Sequence, residues 1–86
     1  MNVLVADTFL EKADELPASR RKALAGFIDH LRAMSVTQLL AWRHTRRQDE
    51  GIYVLRHDVL RVFATLNKEP LENASLVLLD VTIVPR

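Results

Sequence analysis

Residues 51–66, GIYVLRHDVLRVFATL, limit the fold more than any other part of this chain. They read as two short β-strands around a polar pair, His57-Asp58. With those two residues as the loop, Arg56 pairs with Val59, Val54 with Arg61 and Ile52 with Phe63. Side chains alternate along a strand, so these six residues share one face. Tyr53, Leu55, Leu60, Val62 and Ala64 share the other. One face is therefore wholly apolar and demands a covering layer, while the other carries two guanidinium groups.

The covering layer is supplied upstream. Asn2 to Val5 is a short apolar segment suited to an edge strand. Thr8-Phe9-Leu10-Glu11 has the spacing of a capping box, in which hydroxyl and carboxylate each take an orphan backbone amide. Ala6, Phe9, Leu10, Ala13 and Leu16 follow at helical spacing. Pro17 stops that helix, since it disfavours the helical conformation at Leu16 and has no amide hydrogen. A second helix is expected from about Pro17–Ser19 to Met34, with Leu24, Phe27, Ile28, Leu31 and Met34 as its stripe. Gly26 lies inside it at a cost of ~1 kcal/mol relative to alanine, a cost that close approach of a neighbouring element would explain. So short a connection makes an antiparallel helical hairpin.

Between residues 35 and 50, Leu39, Leu40 and Trp42 ask for burial and the run Arg43 to Arg47 asks for water, which suits a short helical turn holding Trp42 on the domain edge. Asn67 to Asn73 reads as a turn. The last strand spans Leu76 to Val84, and its strict alternation places Val77, Leu79, Val81 and Ile83 on the core side and Asp80 and Thr82 on the other. The element order is β-α-α-β-β-β. The expected class is α+β, a single domain over residues 1–86: an antiparallel sheet with the N-terminal helical hairpin packed on one face.

Composition removes several functions. Cysteine is absent, so disulfide frameworks and thiolate metal sites are excluded. No run approaches the ~18 apolar residues of a membrane span, and the first residues lack the form of a signal peptide. The reading is a cytoplasmic protein with no membrane partner. The histidines show no metal-ligand spacing, and no glycine-rich phosphate loop is present, so neither metal nor cofactor is expected.

Net charge is only +1, but its distribution is uneven. Residues 1–19 carry −3, residues 20–47 carry +6 and residues 48–86 carry −2. The basic middle offers Arg20, Arg21, Lys22, Arg43, Arg46 and Arg47 as a surface for an anionic partner. The competing reading is a solvated helix face followed by a polar loop.

Arginine keeps its proton at any physiological pH and cannot act as a general base. It clamps phosphate through a bidentate fork and stabilises developing oxyanions. Arg56 and Arg61 on one sheet face thus point to phosphodiester binding, or to stabilising the transition state of phosphodiester cleavage. Cleavage also needs proton transfer; His57 is the candidate by pKa, with Asp58 and Asp80 the nearest carboxylates. The alternative is an ordinary solvated face on which Arg61 pairs with Asp80.

The combination of a helical hairpin with Leu16-Pro17 between its helices, then Gly51, Tyr53, Leu55-Arg56 and Arg61-Val62-Phe63, then a closing strand Val77 to Val84, resembles the RelE/ParE superfamily of type II toxin–antitoxin toxins. The resemblance spans nearly the whole chain. It implies a compact antiparallel sheet with helices on one side, and a toxin silenced by a cognate antitoxin protein. RelE-like members are endoribonucleases (mRNA interferases) that cut mRNA on the ribosome using basic residues of the open sheet face; ParE-like members poison DNA gyrase without that set. Carried over, Arg61 matches the arginine of the second hairpin strand and Arg86 the basic residue after the last strand. Ile52 and Val54 occupy the positions of the two lysines that RelE places on the first hairpin strand. The resulting expectation is a growth-arresting toxin of RelE type. Arg61, Arg56 and Arg86 are its candidate catalytic residues, and Arg43, Arg46 and Arg47 its candidate RNA-binding residues. Its partners would be an antitoxin, the ribosome and mRNA, with gyrase as target in one alternative and a degenerate interaction module of the same fold, without toxicity, as the other.

Overall fold

The structure is a computed structural model that describes residues 1–49, 51–68 and 73–85. Its elements run β1 (Asn2–Val5), α1 (Asp7–Asp14), α2 (Ala18–Ala33), α3 (Val36–Ala41), β2 (Thr45–Asp49), β3 (Ile52–His57), β4 (Leu60–Asn67) and β5 (Ser75–Ile83). The α+β class and the expected helix pair and hairpin are present. Two elements join them: α3, and β2 as a further strand.

One five-stranded sheet is formed in the order β1-β5-β4-β3-β2. Strands β2 to β5 make a continuous antiparallel meander. The edge strand β1 pairs with β5 in parallel, Asn2 opposite Ser75 and Val5 opposite Leu78, so the sheet is mixed. Beyond Val5 the chain turns into α1 but stays beside β5: the Ala6 amide donates to the Leu78 carbonyl at 2.9 Å and the Thr8 hydroxyl to the Leu79 carbonyl at 2.8 Å. That second bond corrects the expected capping box. Helix α1 starts at Asp7 with Ala6 as its N-cap, a residue with no side-chain acceptor, so Thr8 lies inside the first turn and its hydroxyl donates across to β5. The capping box of this chain lies at α3 instead, where Ser35 and Gln38 each accept the other's backbone amide, at 3.1 and 2.9 Å.

The hairpin sorts its faces as the sequence reading requires, through a different register. The turn residues are Asp58 and Val59, so His57 pairs with Leu60, Arg56 with Arg61, Val54 with Phe63 and Ile52 with Thr65. His57 is the last residue of a strand and not part of the turn. The register has moved by two, which leaves the strand residues on their expected faces, while Val59, expected opposite Arg56 on the arginine face, is instead a buried turn residue. Asp58 takes the left-handed conformation at φ 53°, which aspartate tolerates better than most residues. Gly51, at φ 79°, closes the β2–β3 turn where a side chain would be strained.

Leu55, Leu60, Val62 and Ala64 are buried on the helix side of the sheet, in one apolar cluster with Leu24, Phe27 and Leu31 of α2 and Phe9 of α1. Leu10, expected in the stripe of α1, is exposed at 48%. Strand β5 departs from strict alternation. Phe63 pairs with Asp80 but Ala64 pairs with Leu78, so Leu79 is an extra residue, a β-bulge. Leu76, Leu78 and Val81 therefore face the core, whereas Val77 and Leu79 are half-buried and Ile83 is exposed. The expected core set of Val77, Leu79, Val81 and Ile83 is corrected to Leu76, Leu78 and Val81. Gly26 has open space where a side chain would stand, so no close approach accounts for it.

The bulge gives a direct test. Leu78→Ala removes a fully buried side chain and should lower unfolding free energy by about 2–5 kcal/mol. Leu79→Ala should cost clearly less. Denaturant unfolding of the two variants checks the order, and a larger loss at Leu79 would contradict this register.

Candidate functional site

The face of the sheet away from the helices carries the two arginines of the hairpin. Arg56 and Arg61 are directly opposed, and Arg61 is in turn opposite Thr82 of β5. Opposed residues have Cβ atoms about 4.5–5.5 Å apart, and like charges so placed repel. Each guanidinium is steadied by backbone carbonyls. Arg61 Nη1 donates to the carbonyls of Asp58 at 2.8 Å and Leu60 at 2.9 Å. Arg56 Nη2 makes a long contact of 3.4 Å to the Arg43 carbonyl. The Nε of Arg56 is buried with no hydrogen-bond partner. Two half-buried arginines thus project from opposed positions near the turn end of the open face, their guanidinium groups bonded to different carbonyls, and an anion between them would offset their charge.

The carboxylates nearby are occupied elsewhere. Asp58 pairs with Arg20 of α2 at 3.0 Å, tying the hairpin turn to the start of that helix. Asp80 accepts the Val81 amide at 2.8 Å and faces Lys12 at 3.9 Å, not Arg61 as the solvated-face reading held. Both ion pairs are solvent-exposed, and such pairs contribute ~0–1 kcal/mol. Among the described residues no group of three metal-ligating side chains converges.

The structure distributes the remaining candidates. Arg46 is opposite Val54 and so shares the open face, while Arg47 is opposite Tyr53 and points to the helix side. Arg43 lies in the turn before β2, its Nε 3.4 Å from His44 Nε2. The basic middle of the chain is thus not one surface: Arg20 is paired with Asp58, Arg21 lines a groove between α1 and α2, and Lys22 lines a separate groove beside Trp42. Arg86 lies outside the described residues. His57, the expected proton-transfer group, is on the helix side, its ring stacked on Phe27 at a centroid distance of 4.8 Å. It is therefore removed from the arginine face.

His44 is the residue that sequence reading passed over as a site candidate. Its carbonyl accepts the Arg56 amide at 2.9 Å, which places it beside Arg56 at the edge of the sheet. Partial burial of the ring, then the positive charges of Arg43 and Arg56, and then His57, push its pKa below the usual 6.5. A proton on this imidazole is thus disfavoured by the cations beside it, and the ring stands edge-on to Trp42 at a centroid distance of 4.9 Å. Its signal was absent from the sequence because the pairing that brings it to Arg56 depends on β2, a strand with no apolar alternation.

No family model matches this sequence, and no curated protein matches it. The likeness is in three dimensions. A chain of the RelB-RelE antitoxin-toxin complex from Methanococcus jannaschii superposes with a TM-score of 0.68 over 93% of this chain and 88% of that one, at 16% identity. The isolated E. coli RelE toxin superposes with a TM-score of 0.63 over 99% of this chain and 85% of that one, at 14% identity. This chain has the RelE fold. The sequence-based resemblance is confirmed at the level of architecture: helices on one face, an open face opposite, and strand order β1-β5-β4-β3-β2.

The depressed His44 pKa has a consequence with a definite sign. A folded-state pKa below the unfolded value means that the unfolded chain binds the proton first. The stability linked to His44 is complete above about pH 6.5 and is lost as pH falls through its folded-state pKa. NMR titration should place the His44 midpoint below 6.5, and Arg56→Gln should raise it. An unchanged midpoint in that variant would separate His44 from Arg56.

Proposed function

We propose that this protein is the toxin of a type II toxin–antitoxin pair, held silent by a cognate antitoxin, and that it acts in the RelE manner as a ribosome-dependent mRNA endoribonuclease. The observation that carries this reading is the directly opposed pair Arg56–Arg61 on the open face of a RelE fold. Two guanidinium groups converging on one phosphate neutralise the charge that develops as the phosphodiester is attacked. Arg61, bonded to two carbonyls, is the preorganised member. Arg56 flanks it, and His44 is the adjacent group that would take the proton from the attacking hydroxyl. Arg46, on the same face, would contact flanking phosphate, with Arg43 at the edge and Arg86 beyond the described segment. Arg47 points to the other face and is set aside from this surface.

One observation favours a second reading. Ile52 and Val54 lie on the open face opposite Thr65 and Phe63, giving it an apolar half suited to a protein surface. That is the feature expected of a ParE-like inhibitor of DNA gyrase.

Induced expression should arrest growth, and co-expression of the adjacent antitoxin gene should relieve the arrest. Purified protein added to translating ribosomes should give mRNA cuts at the ribosomal A site. Arg61→Ala should reduce the cutting rate by about 10²–10³-fold, the cost of losing one preorganised charge-stabilising group. Growth arrest with intact mRNA and inhibited supercoiling would favour gyrase as the target.

A further inference from the structure

On the opposite side of the sheet lies a second feature, not used by the proposed cleavage site. His57, Phe27 and Trp42 form a ladder of stacked rings, with centroids 4.8 and 5.8 Å apart and interplanar angles of 18° and 25°. His30 leans on Trp42 at 5.6 Å. Beside this ladder a groove of about 410 Å³ is lined by Lys22, Ala23, Gly26, Phe27, His30, Trp42 and His57.

Three properties of the groove point the same way. Its walls are mostly aromatic and imidazole rings, which offer π faces and edges to a planar ring system. Its charge is positive: no carboxylate lines it, and Lys22 has no ion pair among the described residues. Its floor is open at position 26, which has no side chain. Gly26 adopts ordinary helical backbone angles, and a Cβ there would meet nothing within 4 Å. Glycine in a helix interior is unfavourable relative to alanine, and here no turn or close approach requires it. The consequence of glycine at this position is an open groove floor.

We propose that this groove binds a nucleotide, its base against the His30–Trp42–His57 rings over Gly26 and its phosphate on Lys22. Charge complementarity selects this occupant over a neutral ligand, and the ring-lined wall selects it over a simple anion. The groove contains neither Arg56 nor Arg61, and it meets the cleavage site only through Trp42, against which the His44 ring stands edge-on at 4.9 Å.

Trp42 is the single tryptophan of the chain, so its fluorescence reports on the groove without labelling. Titration of the purified protein with guanosine 5′-monophosphate should quench it saturably. Guanosine should bind about tenfold more weakly, as should the monophosphate to Lys22→Ala, since each loses the charge-assisted phosphate contact. Ribose 5-phosphate should give no saturable response. Gly26→Leu should fill the floor and weaken binding at least tenfold, with a melting temperature no lower than that of the unsubstituted protein. If that variant does not fold, Lys22→Ala, altered at an exposed position, carries the comparison. Quenching that rises linearly and is unchanged in Lys22→Ala would overturn the proposal. So would groove-dependent binding of an acidic amphipathic peptide with no response to the monophosphate.

Discussion

The packing of α2 onto the β3–β4 hairpin is the constraint on which the rest of this fold depends. Leu24, Phe27 and Leu31 share one cluster with Leu55, Leu60 and Val62. These are the residues that must leave water for the sheet to have an inside, and burying a side chain of this size contributes about 1.5–3 kcal/mol. Once they are committed, alternation along the strands fixes the other face without further instruction. Arg56 and Arg61 are presented to solvent because their neighbours Leu55 and Val62 are not. The candidate site is in this sense the complement of the core.

The same hairpin shows what makes a structural feature readable from sequence. Its faces were correctly sorted although its turn was misplaced by one residue, because moving the turn from His57-Asp58 to Asp58-Val59 shifts the register by two and preserves parity. Strand β5 had no such protection. The bulge at Leu79 is a backbone event with no composition of its own, and Val77, Leu79, Val81 and Ile83 form a flawless alternation in the letters alone. Strand β2, TRRQD, was invisible for a different reason. It is held by backbone pairing with β3 and buries almost nothing, so it carries no periodic signal. The neighbourhood of His44 and Arg56 could not be read without it. Likewise the Thr8 hydroxyl had a local partner in the sequence and a distant one, Leu79, in the structure. The local rule fails here because the helix starts at Asp7, one residue before Thr8, which takes the hydroxyl out of the capping position.

Two surfaces result, and they differ in how they were specified. The arginine pair follows from strand parity and could be named in advance. The ring-lined groove on the helix side assembles Lys22, Gly26 and His30 from α2, Trp42 from the end of α3 and His57 from β3. These positions are far apart in the chain, and their types suggested core aromatics and a solvated helix face when taken singly.

The bulge at Leu79 also divides the open face into zones. Towards the hairpin turn lie Arg56, Arg61 and Thr82; past Phe63 and Asp80 come Ile52, Thr65 and Val77. Positive charge is therefore gathered in the opposed Arg56 and Arg61, with Arg46 diagonal to them on β2 opposite Val54, adjacent strands being about 5 Å apart, and it does not extend to Ile52, Thr65 and Val77. A surface so drawn is a pincer and not a track. It grips one anionic centre between Arg56 and Arg61, and the register of a longer polyanion falls to Arg46 at the edge of the same sheet.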